Sequence, residues 1–186
     1  GVELFEEALD MINDAPPDQR AQSLQARIHN QLGFILAKGN RLDRAVEHFK
    51  QSVSILRSYP RDMAQGEAYR MLGDIYSMRR QTEQGERALR MALEIFEKNR
   101  ASVDIAGVYK SIGLNFLNGG DIEKATFFID ESIRILEKLG LDYDLPMLYS
   151  SKARIFMIQE EYEKAEEFYK KDFDLAKKSG IQQSLA

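Results

Sequence analysis

Apolar residues recur along this chain at helical spacing and, on a longer scale, at an interval of forty residues. In one set of columns Leu32, Leu72 and Ile112 are each followed by a glycine, Gly33, Gly73 and Gly113, and one turn later by Leu36, Tyr76 and Phe116. The fourth copy keeps the register with Lys152, Ala153 and Phe156. In a second set Ala45, Gly85, Ala125 and Ala165 precede Phe49, Leu89, Ile129 and Tyr169 by four positions. Val53/Ile55, Leu93/Ile95, Ile133/Ile135 and Phe173/Leu175 then extend the same buried stripe. Each copy therefore predicts two helices, the small column of one receiving the large column of the other. A glycine inside a helix costs about 1 kcal/mol relative to alanine, so Gly33, Gly73, Gly85 and Gly113 imply close helix approach. A helix pair cannot bury both of its faces alone, and each copy needs its neighbours.

The residues between stripes divide the chain into four such pairs, 18–57, 60–98, 102–139 and 143–180. Asp18 to Lys38 and Leu42 to Arg57 flank Gly39-Asn40. Pro60 is placed to open the second pair, where its missing N–H is harmless in a first turn, and Thr82 to N-cap its second helix. Ser102 caps the third pair and Asp121, after Gly119-Gly120, its second helix. Pro146 opens the last pair, whose turn falls near Glu160-Glu161. Residues 1–15, with Phe5, Ala8 and Leu9, read as the second helix of a preceding copy, stopped by Pro16-Pro17. Gly180 reads as a helix stop and residues 181–186 as the start of a further helix or a tail. The expectation is one repeat domain taken from a longer protein.

These columns resemble the tetratricopeptide repeat, whose pattern is W-x2-L-G-x2-Y in a first helix and A-x3-F in a second. The tryptophan column holds His29, Tyr69, Tyr109 and Tyr149. The usual repeat is about 34 residues, and the extra length here, about 1.7 helical turns, points to longer helices. Such long repeats look like those of maltose-activator-type, Rap-type and Pins-type proteins. The resemblance implies an all-α fold, a right-handed superhelical solenoid of antiparallel helix pairs with four full repeats plus a leading helix. It also implies a concave groove that binds a protein or peptide, in a cytoplasmic scaffold or regulator.

In this family the groove lining falls near the glycine column. That marks Arg27, Asn30, Gln31 and Phe34, then Glu67, Arg70, Met71, Asp74 and Met78. The third and fourth repeats add Lys110, Ser111, Leu114, Asn118, Ser150, Ser151, Arg154 and Met157. Arg70, Lys110 and Arg154 are expected to fix carboxylates and Met71, Met78 and Met157 to adapt to apolar side chains. The carboxylate clamp of chaperone-binding members is absent from the matching positions, which hold Asn30, Phe34, Met71, Gly107 and Ser111. Phe127, Phe128 and Phe168 lie on second helices as packing groups or as an outer apolar strip. Tyr169, Phe173 and Leu175 lack the cover of a following repeat, so homodimerisation through that end or the outer face is a further expectation. The different-class alternative is an effector-sensing or self-association domain of a larger transcription or signalling regulator.

Composition narrows the chemistry. Thirty acids against twenty-six bases leave a formal charge of -4, with no run of five like charges, so a nucleic-acid partner is not expected. No apolar run approaches the roughly 20 residues of a membrane-spanning helix. Cysteine is absent, which removes disulfides, thiolate metal sites and a cysteine nucleophile. His29 and His48 are the only histidines; His29 reads as a packing residue in the aromatic column and His48 as solvated. No phosphate loop, metal spacing or nucleophile elbow occurs. The expectation is therefore no enzyme, no cofactor and no metal.

Overall fold

In a computed structural model, residues 2–13 and 18–178 are described. They form nine α-helices and no strand: α1 (Val2–Asn13), α2 (Gln19–Lys38), α3 (Leu42–Ile55), α4 (Met63–Met78), α5 (Thr82–Lys98), α6 (Ser102–Gly119), α7 (Ile122–Leu139), α8 (Leu145–Ile158) and α9 (Tyr162–Lys178). Two compact units result, one holding α1–α5 and the other α6–α9. Pro16-Pro17, Gly180 and residues 181–186, read above as helix punctuation and a tail, lie outside the described residues.

The turn inside every pair is built the same way. Asn40, Arg80, Gly120 and Glu160, forty residues apart, all take left-handed backbone, with φ of 57°, 58°, 84° and 61°. Each donates its N–H to the carbonyl three residues back, and the next residue donates five back, as in Arg41 N to Leu36 O at 2.8 Å and Glu161 N to Phe156 O at 2.9 Å. This is the Schellman closure, which satisfies the last carbonyls of the first helix. Arg100 and Gly140, φ 55° and 67°, close the second helices of two pairs in the same way. Only two of these six positions hold the glycine that left-handed backbone favours.

The N-termini are more varied. Asp18 caps α2, accepting from Ala21 N at 2.7 Å, and Asp121 caps α7, accepting from Lys124 N at 3.1 Å. Pro60 does not open α4. That helix starts at Met63 under Asp62, which accepts from Ala64 N at 2.9 Å, while Pro60 follows the 3₁₀ turn Leu56–Ser58. Thr82 is already helical, and Gln81 stands at the cap position without a side-chain bond. Pro146 does sit in the first turn of α8.

Close approach at the glycines is the central packing device. A Cβ placed on Gly33 would lie 2.8 Å from two ring atoms of Phe49. On Gly73 it would lie 2.5 Å from Leu89 Cγ and 3.2 Å from the Gly85 carbonyl, and on Gly113 2.7 Å from Ile129 Cγ1. The pairs α2/α3, α4/α5 and α6/α7 are thus sealed by one repeated contact. Gly66 adds an unexpected one, 2.8 Å from the Phe96 ring. The stripe beyond it matches the expected one only in part: Ile95 and Ile133 are buried, but the buried face also runs through Leu56, Phe96, Leu136 and Ala176, with Ser52, Ala92 and Ser132 one turn before the first three, and Phe173 is exposed. Residues two apart on a helix point about 200° apart, so both members of Val53/Ile55 and its counterparts cannot share one face.

Polar groups inside each unit are tied to helix ends and backbones. Gln65 donates from Nε2 to the carbonyls of Val53 and Leu56, at 3.3 and 3.1 Å, closing the end of α3. Ser132 Oγ donates to Ala106 O at 2.8 Å and bridges α7 to α6. Lys152 occupies the leucine column and is buried, its Nζ 2.5 Å from both carboxylate oxygens of Asp130 on α7.

Candidate binding site

In the first unit, six of the nine residues placed on the predicted groove meet. Asn30, Gln31 and Phe34 from α2 face Glu67, Arg70 and Met71 from α4 around an open cavity of about 230 Å³, with the Phe49 ring contributing to its wall. The register explains the meeting. Residues 30, 31 and 34 lie on one side of α2, and 67, 70 and 71 on one side of α4, at the i, i+3, i+4 spacing that puts side chains together. Arg27, Asp74 and Met78 do not line the cavity; Met78 is exposed.

The chemistry of this cavity is mixed. Arg70 Nη1 is 3.4 Å from Asp74 Oδ2, so its charge is shared within α4 rather than free. Phe34 is 40% exposed, with Lys38 Nζ 4.5 Å from its ring centroid. Asn30 is buried; its Nδ2 donates to Ala64 O at 2.8 Å, while its Oδ1 has no hydrogen-bond partner. An unpaired buried acceptor costs about 1–3 kcal/mol. Phe49 stands in a column that reads as core. Its ring is fully buried yet forms part of the cavity wall, a double role that no single-column pattern reveals.

In the second unit the marked residues are placed differently. Lys110 Nζ is 2.9 Å from Asp144 Oδ1, both half-buried, so this cation is held by the loop before α8. Ser111 and Ser151 are buried, and Ser151 Oγ donates back to Met147 O at 2.8 Å along its own helix. Leu114 and Ser150 are half-buried, and Asn118, Arg154 and Met157 are exposed. Arg154 has no acidic partner among the described residues.

The second-helix aromatics divide. Phe128 stacks on Phe116 and tilts against Tyr109, with centroids 5.9 and 5.7 Å away, and Phe168 packs likewise on Tyr149 and Phe156. Of Phe127, Phe128 and Phe168, Phe127 is the exposed one, at 60%. His48 is not solvated: it takes the Phe128 place in the first repeat, and its Nδ1 lies 3.0 Å from Nδ1 of His29. Burial first, and His48 second, lower the His29 pKa from the ordinary histidine value to about 4. Two ring nitrogens at that distance require one donor and one acceptor, so the pair excludes a second proton. Among the described residues no three His, Cys, Asp or Glu side chains are grouped to hold a metal, and no helix is long and apolar enough to cross a membrane.

Antiparallel helix pairs with a forty-residue period, each closed by a Schellman turn and three of the four sealed by a glycine, define a helical-repeat protein. Residues 24–98 match the tetratricopeptide repeat family, and the fold of the described residues is that of a tetratricopeptide-like solenoid. No curated protein matches by sequence. Among solved structures the chain is similar to BtubC (BKLC) from P. vanneervenii, with a TM-score of 0.82 at 19% identity over 96% of this chain and 73% of that one. It is similar to the apo form of RapI with a TM-score of 0.83 at 15% identity, over 96% of this chain and 64% of that one. Aspartyl phosphate phosphatase F from Bacillus subtilis gives 0.82 at 15% identity, over 97% and 46%. The chain thus spans less than two thirds of RapI and less than half of the phosphatase.

Proposed function

We propose that this chain is a protein- or peptide-binding module of a scaffold or regulator, built as one array of four repeats, 18–57, 60–98, 102–139 and 143–180, after a leading helix. The cavity between α2 and α4 is its ligand site. The observation that carries this reading is the meeting of Asn30, Gln31 and Phe34 with Glu67, Arg70 and Met71 around one open cavity. Phe34 and Met71 take an apolar side chain of the peptide, and Arg70, already beside Asp74, turns to a ligand carboxylate. Arg154 and Met157 extend the same surface chemistry within the second unit. The reading involves no turnover and no cofactor. Peptides selected from a displayed random library on the folded protein test it. Phe34→Ala and Arg70→Glu are expected to weaken the selected peptides at least about tenfold. Selected peptides that bind both first-unit variants unchanged refute the site.

Self-association is the second reading, and α9 favours it. Tyr162, Tyr169 and Phe173 are exposed there, 57%, 44% and 43%, and in the column of Tyr169 the other three members, Phe49, Leu89 and Ile129, are fully buried. Along the rim of this stripe the order is Glu163, Glu166, Lys170, Lys177. Antiparallel pairing with a second copy brings the acidic Glu163/Glu166 end of the stripe against the basic Lys170/Lys177 end of the other copy. Sedimentation of the Lys170→Glu/Lys177→Glu variant, alone and mixed with Glu163→Lys/Glu166→Lys, tests it: each alone should be monomeric and the mixture dimeric. A wild-type protein that stays monomeric at high concentration removes this reading.

A further inference from the structure

The repeats fill one position differently, and in the second repeat it is left unfilled. Forty-residue register aligns His48, Ala88, Phe128 and Phe168. In the second unit both phenyl rings lie between the two aromatic columns of the preceding helix: Phe128 against Tyr109 and Phe116, Phe168 against Tyr149 and Phe156. In the first repeat His48 meets His29. The second repeat has the same two flanking aromatics, Tyr69 and Tyr76, but Ala88 between them. The result is an open slot of about 360 Å³ lined by Tyr69, Leu72, Tyr76 and Ala88. An apolar cavity of about 150 Å³ is already enough to accept a benzene ring.

We propose that this slot is a second binding site, separate from the Asn30 cavity, that takes a phenylalanine side chain from an acidic peptide segment of a partner protein. The ring preference rests on the protein's own repeats, which place phenylalanine between the same two columns. The acidic preference rests on the rim. Lys50 of α3 and Arg87 of α5 border the slot, with Met91 and Gln84 beside them. Arg87 has only a 3.7 Å contact with the exposed Glu83, and Lys50 has no acidic partner among the described residues. In the second unit the place of Lys50 is held by Asp130, which binds Lys152. Lys50 has no such partner within its own site, because the counterpart of Lys152 is the apolar Leu72. A carboxylate on either side of an inserted phenylalanine therefore meets two cations, and the ring meets tyrosine faces and the Met91 thioether, both favourable partners for it.

The experiment uses the whole chain and the acetylated pentapeptide Asp-Glu-Phe-Glu-Asp, with Asp-Glu-Ala-Glu-Asp as its control, read by fluorescence titration and by methyl NMR of Ala88 and Met91. The phenylalanine peptide is expected to bind about tenfold to a hundredfold more tightly than the control and to shift both methyl signals. Ala88→Phe supplies the ring from the protein itself; it should raise Tm and abolish binding. Lys50→Glu/Arg87→Glu should weaken the phenylalanine peptide while leaving the fold intact. Phe34→Ala, in the Asn30 cavity, should leave this binding unchanged, so failure of one site is distinguishable from failure of the other. Equal binding of the two peptides, or unshifted Ala88 and Met91 methyls, overturns the proposal, as does an Ala88→Phe protein that folds and still binds. If Ala88→Phe does not fold, the methyl shifts of the unaltered protein decide.

Discussion

Gly73→Ala is the substitution on which the packing argument is most exposed. Alanine is favoured over glycine inside a helix by about 1 kcal/mol, so propensity alone predicts a more stable protein. The structure opposes it. The new methyl would lie 2.5 Å from Leu89 Cγ, 2.7 Å from Cδ2 and 3.2 Å from the Gly85 carbonyl. Leu89 is fully buried, and Cγ is its branch point rather than a mobile end. Relief therefore requires moving α5 away from α4 or forcing Leu89 off its rotamer. Overpacking of this kind costs about 1–3 kcal/mol, and a contact at the branch point belongs near the upper value, leaving a net loss of about 2 kcal/mol. Leu89→Ala alone should cost about 2–5 kcal/mol. In the double variant the two changes compensate, because the alanine methyl enters the space the leucine vacates. A double-mutant cycle by urea denaturation, followed by far-UV circular dichroism, should give a favourable coupling of about 1–3 kcal/mol. Slopes must be compared as well as midpoints, since repeat arrays can unfold in stages. A Gly73→Ala protein as stable as wild type, or an additive cycle, would refute the claim that the glycine column exists to seat the large column. Gly39→Ala is the control: its φ is -81° and its nearest neighbours are 3.5 Å away, so no loss is expected.

The His29–His48 pair predicts a pH effect of definite sign. The folded-state pKa of His29, about 4, lies below that of the unfolded chain, so between about pH 6.5 and 4 the unfolded state binds the extra proton and stability falls as pH falls. Allowing for solvent screening of a half-buried ring, the loss should be about 1–2 kcal/mol; in a His29→Tyr/His48→Phe variant this part of the slope should vanish, and an unchanged slope in urea midpoints against pH would exclude the pair as its source. Glu160→Gly should stabilise by about 0.5–1 kcal/mol, because Glu160 holds left-handed backbone at φ 61°; a drop in Tm would contradict the turn geometry. Asp130→Ala should cost about 3 kcal/mol by leaving the Lys152 ammonium buried without its carboxylate, whereas Lys152→Leu, which restores the residue of its column, should stay within about 1 kcal/mol of wild type. Equal losses from the two, measured by thermal denaturation, would show that the ion pair itself is the stabilising element.

Much of the architecture was legible because repetition supplies its own comparison. One leucine-glycine step is a weak signal, but Gly33, Gly73 and Gly113 at equal intervals identify a packing position, and the structure places Phe49, Leu89 and Ile129 against them. Helix ends were less legible where their determinants are not glycine or proline. The left-handed residues Arg80, Arg100 and Glu160 carry no turn signal of their own; the backbone hydrogen bonds of the Schellman turn select the conformation and the side chain merely tolerates it. Pro60 misled because proline fixes only its own φ, while Asp62 offers the N–H groups of α4 a partner.

By itself the sequence determined that this is an all-helical array with a forty-residue period, which columns are small and which large, and that cysteine chemistry is absent. These are consequences of local periodicity and residue size, readable one position at a time. Only tertiary structure decided that His48 faces His29, that Lys152 is neutralised by Asp130, that Asn30 keeps an unpaired oxygen in a cavity wall, and that Ala88 leaves a slot between two tyrosines. Each of these depends on side chains brought together across 19, 22, 34 and 19 residues respectively: His29 to His48, Asp130 to Lys152, Asn30 to Ala64, and Tyr69 to Ala88. A contact between two helices is set by the rotation and depth of both, and a pattern read along one helix contains neither.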